Sequence, residues 1–83
     1  MGHAQQRRSA VHSAEYQYLL KRLRDARRQA GLTQVQVAKA LGRPQSFVTK
    51  CELGERRIDP IDLQRFAKLY RKPLSFFLRT RDP

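Results

Sequence analysis

Three glycines and one Asp-Pro pair set the limits on what this chain can become. Gly31, Gly42, Gly54 and Asp59-Pro60 interrupt it at short intervals. Between these stops the apolar residues recur at helical spacing, and no stretch alternates apolar and polar residues as a half-buried strand does. The chain is therefore confined to short helices joined by tight turns. With 83 residues it makes one small domain.

Ser13 is suited to cap a first helix, with Glu15 in its first turn against the positive dipole end. Tyr16, Leu19, Leu20, Leu23, Ala26 and Ala30 then fall on one stripe, and Gly31 stops it, so a helix is expected over 14–29. Thr33 opens a second over 34–41, with Val37, Ala38 and Leu41 inward and Gly42 ending it. Pro44, its φ preset for the first helical position, opens a third over 44–52 through Phe47, Val48 and Cys51. Asp59, Pro60 and Asp62 form another start signal, and Leu63, Phe66, Ala67 and Tyr70 give the buried stripe of a fourth helix over 60–71. Pro73 opens a last one over 74–78, which buries Leu74, Phe77 and Leu78 and leaves Phe76 outward. The expected fold is an all-α, compact five-helix domain over 13–78. Residues 1–12, carrying Arg7 and Arg8 without any period, read as a mobile basic arm, and residues 79–83 as a frayed tail.

Composition removes several classes of function. With 40% hydrophobic residues the core is adequate without staples. A single cysteine, Cys51, rules out an internal disulfide framework and reads as a small buried hydrophobe. His3 and His12 lie in the arm with no ligand partner, so no metal is expected. Apolar runs of two or three residues are too short for a transmembrane helix or a signal peptide, which suits a cytoplasmic protein and no membrane partner. No Ser/His/Asp set, no paired acids and no Gly-rich phosphate loop is present. Neither an enzyme nor a cofactor is expected.

The charge names a class of partner. Eighteen Lys and Arg against seven Asp and Glu give +11, and twelve or more of the eighteen are Arg, the better phosphate fork. Such an excess is the footprint of polyanion binding, though it separates neither DNA from RNA nor either from an anionic membrane. The two short helices across Gly42 narrow the choice. In such a pair the first helix braces on the nucleic-acid backbone and the second enters the major groove of double-stranded DNA, its N-terminal residues at base edges. Gln45, Ser46, Thr49 and Lys50 stand there on one helical face. Glutamine pairs with adenine, serine with either strand and lysine with guanine.

The stretch LRDARRQAGLTQVQVAKALGRPQSFVTKCELGERR resembles the lambda-repressor/Cro type of helix-turn-helix, the XRE family, over about residues 19–78. The resemblance rests on the ordered set Gly31-Leu32-Thr33-Gln34, Ala38 with Leu41-Gly42, Gln45-Ser46, and Glu52 before Gly54-Glu55-Arg56-Arg57. It implies that Gln34 grips a phosphate and braces the first recognition glutamine. Gln45 and Ser46 are the implied principal base readers, with Thr49 and Lys50 secondary or on phosphate. Arg56 and Arg57, in the loop after the third helix, run along the backbone, and Arg43 in the turn joins these phosphate contacts. Arg27 and Glu52 match a partly buried ion pair tying the first helix to the third. The chain departs from its relatives at Pro44, where Ser or Thr is usual, and at Cys51, where Ile or Leu fills the core.

An outward Phe76 near Ile58 or Ile61 makes an apolar patch of the kind through which small phage repressors pair, so a homodimer on a palindromic operator is expected. Three settings fit: a phage or restriction-modification repressor, an antitoxin that binds a toxin and represses its own operon, and an architectural or RNA-binding protein that uses charge alone.

Overall fold

Ser13 starts the first helix by accepting the Tyr16 N–H on its side-chain oxygen at 3.1 Å. In the computed structural model, which describes residues 13–79, four α-helices follow one another: α1 Ala14–Gln29, α2 Gln34–Leu41, α3 Gln45–Leu53 and α4 Pro60–Tyr70. A single 3-10 turn, Leu74–Phe76, follows them. No strand is present among the described residues. The expected arm, residues 1–12, and residues 80–83 of the expected tail lie outside them.

The helix starts follow local chemistry. Thr33 caps α2 in a reciprocal box: its hydroxyl accepts the Gln36 N–H at 3.1 Å, and the Gln36 side chain accepts the Thr33 N–H at 2.9 Å. Asp59 caps α4 by accepting the Asp62 N–H at 2.7 Å, with Pro60 at the first position. The start of α3 differs from expectation. Pro44 is not the first helical residue but the cap before it, with φ −65° and ψ 153°. Proline fixes φ alone, and −65° serves either position; an extended ψ moves the helix start to Gln45. Pro44 supplies no side-chain cap, so the first turn of α3 keeps uncapped amides on its outer end.

All four helices end in the same way. After each, one amide bonds back three residues and the next bonds back five, as Gly42 to Lys39 at 3.2 Å and Arg43 to Ala38 at 2.9 Å. The pattern needs a left-handed residue at the turn. Gly31, Gly42 and Gly54 supply it for α1, α2 and α3, whereas α4 uses Arg71 at φ 60°.

The expected fifth helix is one 3-10 turn. Its amides bond three residues back, as Phe77 to Leu74 at 3.0 Å. One turn presents one side chain inward, so only Phe77 is fully buried, while Leu74 and Leu78, expected inside, are each 44% exposed. Phe76, expected outward, is half-buried against the core. Ala30, at the end of the expected α1 stripe, is exposed.

Leu23 and Ala26 of α1, Val37 of α2, Val48 and Cys51 of α3, and Phe66 of α4 meet in one core. Phe47, Phe66 and Tyr70 stack in a row, with ring centroids 6.2 and 5.9 Å apart. α2 packs mainly on α3, and α3 on α1. The core therefore holds α3 from both sides and leaves its remaining face outward.

Candidate nucleic-acid interface

α2 and α3 are separated by Gly42, Arg43 and Pro44. The left-handed Gly42 reverses the chain between them. On α3, Phe47, Val48, Cys51 and Glu52 point inward and are buried. Gln45, Ser46 and Lys50 are exposed and Thr49 is half-buried. Helical spacing brings these four onto one outward face.

Behind that face lies a buried carboxylate with three side-chain donors. Arg27 Nε donates to Glu52 Oε2 at 2.7 Å and its Nη2 to Oε1 at 3.2 Å. Gln34 Nε2 donates to the same Oε1 at 2.9 Å. The Thr49 hydroxyl in turn donates to Gln34 Oε1 at 2.7 Å. Glu52 keeps 2% of its side-chain surface exposed and Arg27 14%. Their hydrogen bond holds the Arg27 guanidinium above its usual pKa range, against the opposing effect of burial. Arg27 also donates to the Leu32 carbonyl at 3.1 Å, and Arg24 to the Glu52 carbonyl at 3.1 Å. Three elements are thus joined at one carboxylate. Such a pair is better credited with fixing orientation than with net stability.

A helix-turn-helix domain family matches residues 19–74, a span that includes Arg27, Gln34, Thr49 and Glu52. The chain belongs to the helix-turn-helix domain family. The domain is one found in XRE-like regulators, and DNA binding is its associated activity. A search of curated proteins returned no match.

Within this helix-turn-helix domain, Gln34 has a different bracing partner from the one expected. Both ends of its amide are engaged inside the protein, and the side chain it braces is Thr49, not Gln45. Arg24, one helical turn before Arg27 and the second residue of the stretch that carries the family resemblance, had no role assigned from sequence, although its spacing places it on the same side of α1. Gln36 is exposed and is also half of the α2 cap.

The arginines expected on phosphate occupy two settings. Arg43 lies 3.5 Å from Asp62 and stacks on the Phe47 ring, 4.3 Å from its centroid. Arg56 approaches the same ring at 4.9 Å. Arg57 is exposed, 6.0 Å from the Tyr16 ring. Asp62, a buried acid on α4, and Phe47 as an arginine platform had no signal beyond their part in capping and core.

The residues expected at a dimer contact do not form one open apolar patch. Ile61 is 57% exposed. Ile58 is half-buried, its N–H held by the Tyr16 hydroxyl at 3.0 Å. Phe76 lies under the Arg22 guanidinium, 3.6 Å from its ring centroid, and its carbonyl accepts from Arg22 Nε at 3.0 Å. The expectation of an outward Phe76 fails because Arg22 covers it.

Cys51 is buried at the α3 core face. Burial, and then the negative charge of Asp62, push its thiol up to about 11. It stays protonated at neutral pH. Among the described residues no group of His, Cys, Asp and Glu is arranged to hold a metal ion, and no helix is long and apolar enough to cross a membrane.

Proposed function

We propose that this helix-turn-helix domain is a sequence-specific regulator of transcription that reads double-stranded DNA with α3. The observation that carries the reading is the outward face of α3: Gln45, Ser46, Thr49 and Lys50 on one side of a helix whose other side is locked in the core. Gln45 and Ser46 read base edges, and Thr49 and Lys50 extend the reading along the groove. Arg43, Arg56 and Arg57 contact phosphates on either side, helped by the uncapped first-turn amides of α3. Two copies bind a palindromic operator as a homodimer in the cytoplasm, and occupancy blocks polymerase. The exposed Ile61 belongs to the pairing surface, and the half-buried Ile58 and Phe76 contribute to it where their surface is open.

Selection of binding sites from random double-stranded DNA tests the whole reading. The expected product is a pair of inverted half-sites about one helical turn, roughly 34 Å, apart. Gln45→Ala is expected to cost about 1–3 kcal/mol on the selected site and to relax preference at one base pair of each half. Equal weakening on selected and random DNA would remove Gln45 from the readers. Absence of any enriched sequence would leave only charge-driven binding.

A further inference from the structure

The hydrogen bonds behind α3 run in one direction, and that direction reaches the surface. A carboxylate can only accept. Glu52 already accepts from Arg27 at both oxygens, and the end of the Gln34 amide turned toward it must be the NH2 end. The opposite end of that amide, Oε1, is then an acceptor aimed at Thr49. The Thr49 hydroxyl has one proton, and it is spent on this bond. What remains on the oxygen is lone pairs. Ser46 makes no side-chain hydrogen bond among the described residues, and its hydroxyl is free to turn either way.

We infer that the buried Glu52, acting through Gln34, fixes Thr49 as a hydrogen-bond acceptor, so that Thr49 selects an exocyclic amino group in the major groove. Adenine N6 and cytosine N4 offer one; guanine O6 and thymine O4 offer an acceptor and are refused. Thr49 is the residue at the base edge. Glu52 and Gln34 are positioning residues that set its polarity. The inference rests on the reading of α3 as the recognition helix and adds a rule to it: the pair facing Thr49 carries adenine or cytosine on the contacted strand.

Site selection by the wild type, Thr49→Val, Thr49→Ser and Gln34→Met, at one salt concentration, tests this. The base pair that loses its preference in Thr49→Val is the one Thr49 faces. There the wild type is expected to favour adenine or cytosine about tenfold, from one hydrogen bond made or one acceptor pair opposed. Thr49→Ser keeps the preference. Gln34→Met frees the hydroxyl to turn, and discrimination falls to within about twofold while the Gln45 position is unaffected. A duplex with purine in place of the contacted adenine lacks the amino group, and on it wild type and Thr49→Val are expected to bind equally. If Gln34→Met does not fold, the Val and Ser variants and the purine duplex still decide the matter. A wild-type preference for guanine or thymine at that pair overturns the inference. So does an unchanged preference in folded Gln34→Met, or no pair responding to Thr49→Val. In each case α3 remains the reader if Gln45→Ala still relaxes its own base pair. No enriched sequence at all would sink both.

Discussion

At the residue scale, the protein shows which side-chain features a sequence declares and which it conceals. The caps at Ser13, Thr33 and Asp59 are legible because a short oxygen-bearing side chain reaches an amide three residues on, within one turn. Gln34 is opaque for the opposite reason. Its partners, Glu52 and Thr49, lie on another helix, 18 and 15 residues away, and only packing brings them within reach. Tyr70 is a second concealed case. Its apolar spacing marked it as core, and its ring stacks on Phe66, but its hydroxyl is buried without a hydrogen-bond partner among the described residues. Burial, reinforced by Glu52, pushes that phenol well above its usual pKa, so it stays neutral. An unpaired buried hydroxyl costs about 1–3 kcal/mol. Tyr70→Phe is therefore expected to stabilise the protein by about 1 kcal/mol, read as a higher urea unfolding midpoint with the slope unchanged. A lowered midpoint would mean that the hydroxyl has a partner in solution.

At the element scale, four helices were legible because periodicity and stops are local, and the last element was not. The residues 74–78 contain enough apolar character for a helix turn, but a single turn cannot choose its inward face without the surface it meets. Pro44 misleads for a related reason: its ring declares φ, while ψ is set by the turn from α2. The helix ends carry a prediction with two signs. Arg71 closes α4 with φ 60°, which costs a non-glycine residue roughly 1 kcal/mol or more. Arg71→Gly is expected to gain about 0.5–1 kcal/mol of that back, net of the added freedom of the unfolded chain. Gly54→Ala is expected to lose more than this, because φ is 81° and the new Cβ would meet Leu20 Cδ1 at 2.9 Å. Thermal unfolding of the two variants checks both. Similar effects of both substitutions would show that the left-handed turns do not limit stability.

At the scale of the whole molecule, charge and shape separate into affinity and choice. A net charge of +11 draws the protein to any polyanion, with binding that weakens steeply as salt rises. Arg57 is exposed and lies in the loop after α3. Arg57→Ala is expected to weaken cognate and random DNA by the same factor and to reduce the slope of log K against log salt by about one. An unchanged slope in filter or anisotropy titrations would take Arg57 off the phosphate backbone. Most of the candidate interface could be named from sequence, because the outward face of α3 is a matter of helical spacing. What could not be named was the link from that face to the interior. The link has an uneven reach. Gln45 and Ser46 bear no structural weight, whereas Thr49 is wired to the carboxylate that joins α1, α2 and α3. Under the proposed reading, a lineage, or an engineer, can thus retarget the protein at its first two positions without touching its architecture, while the third is an inherited letter that changes only when the scaffold does.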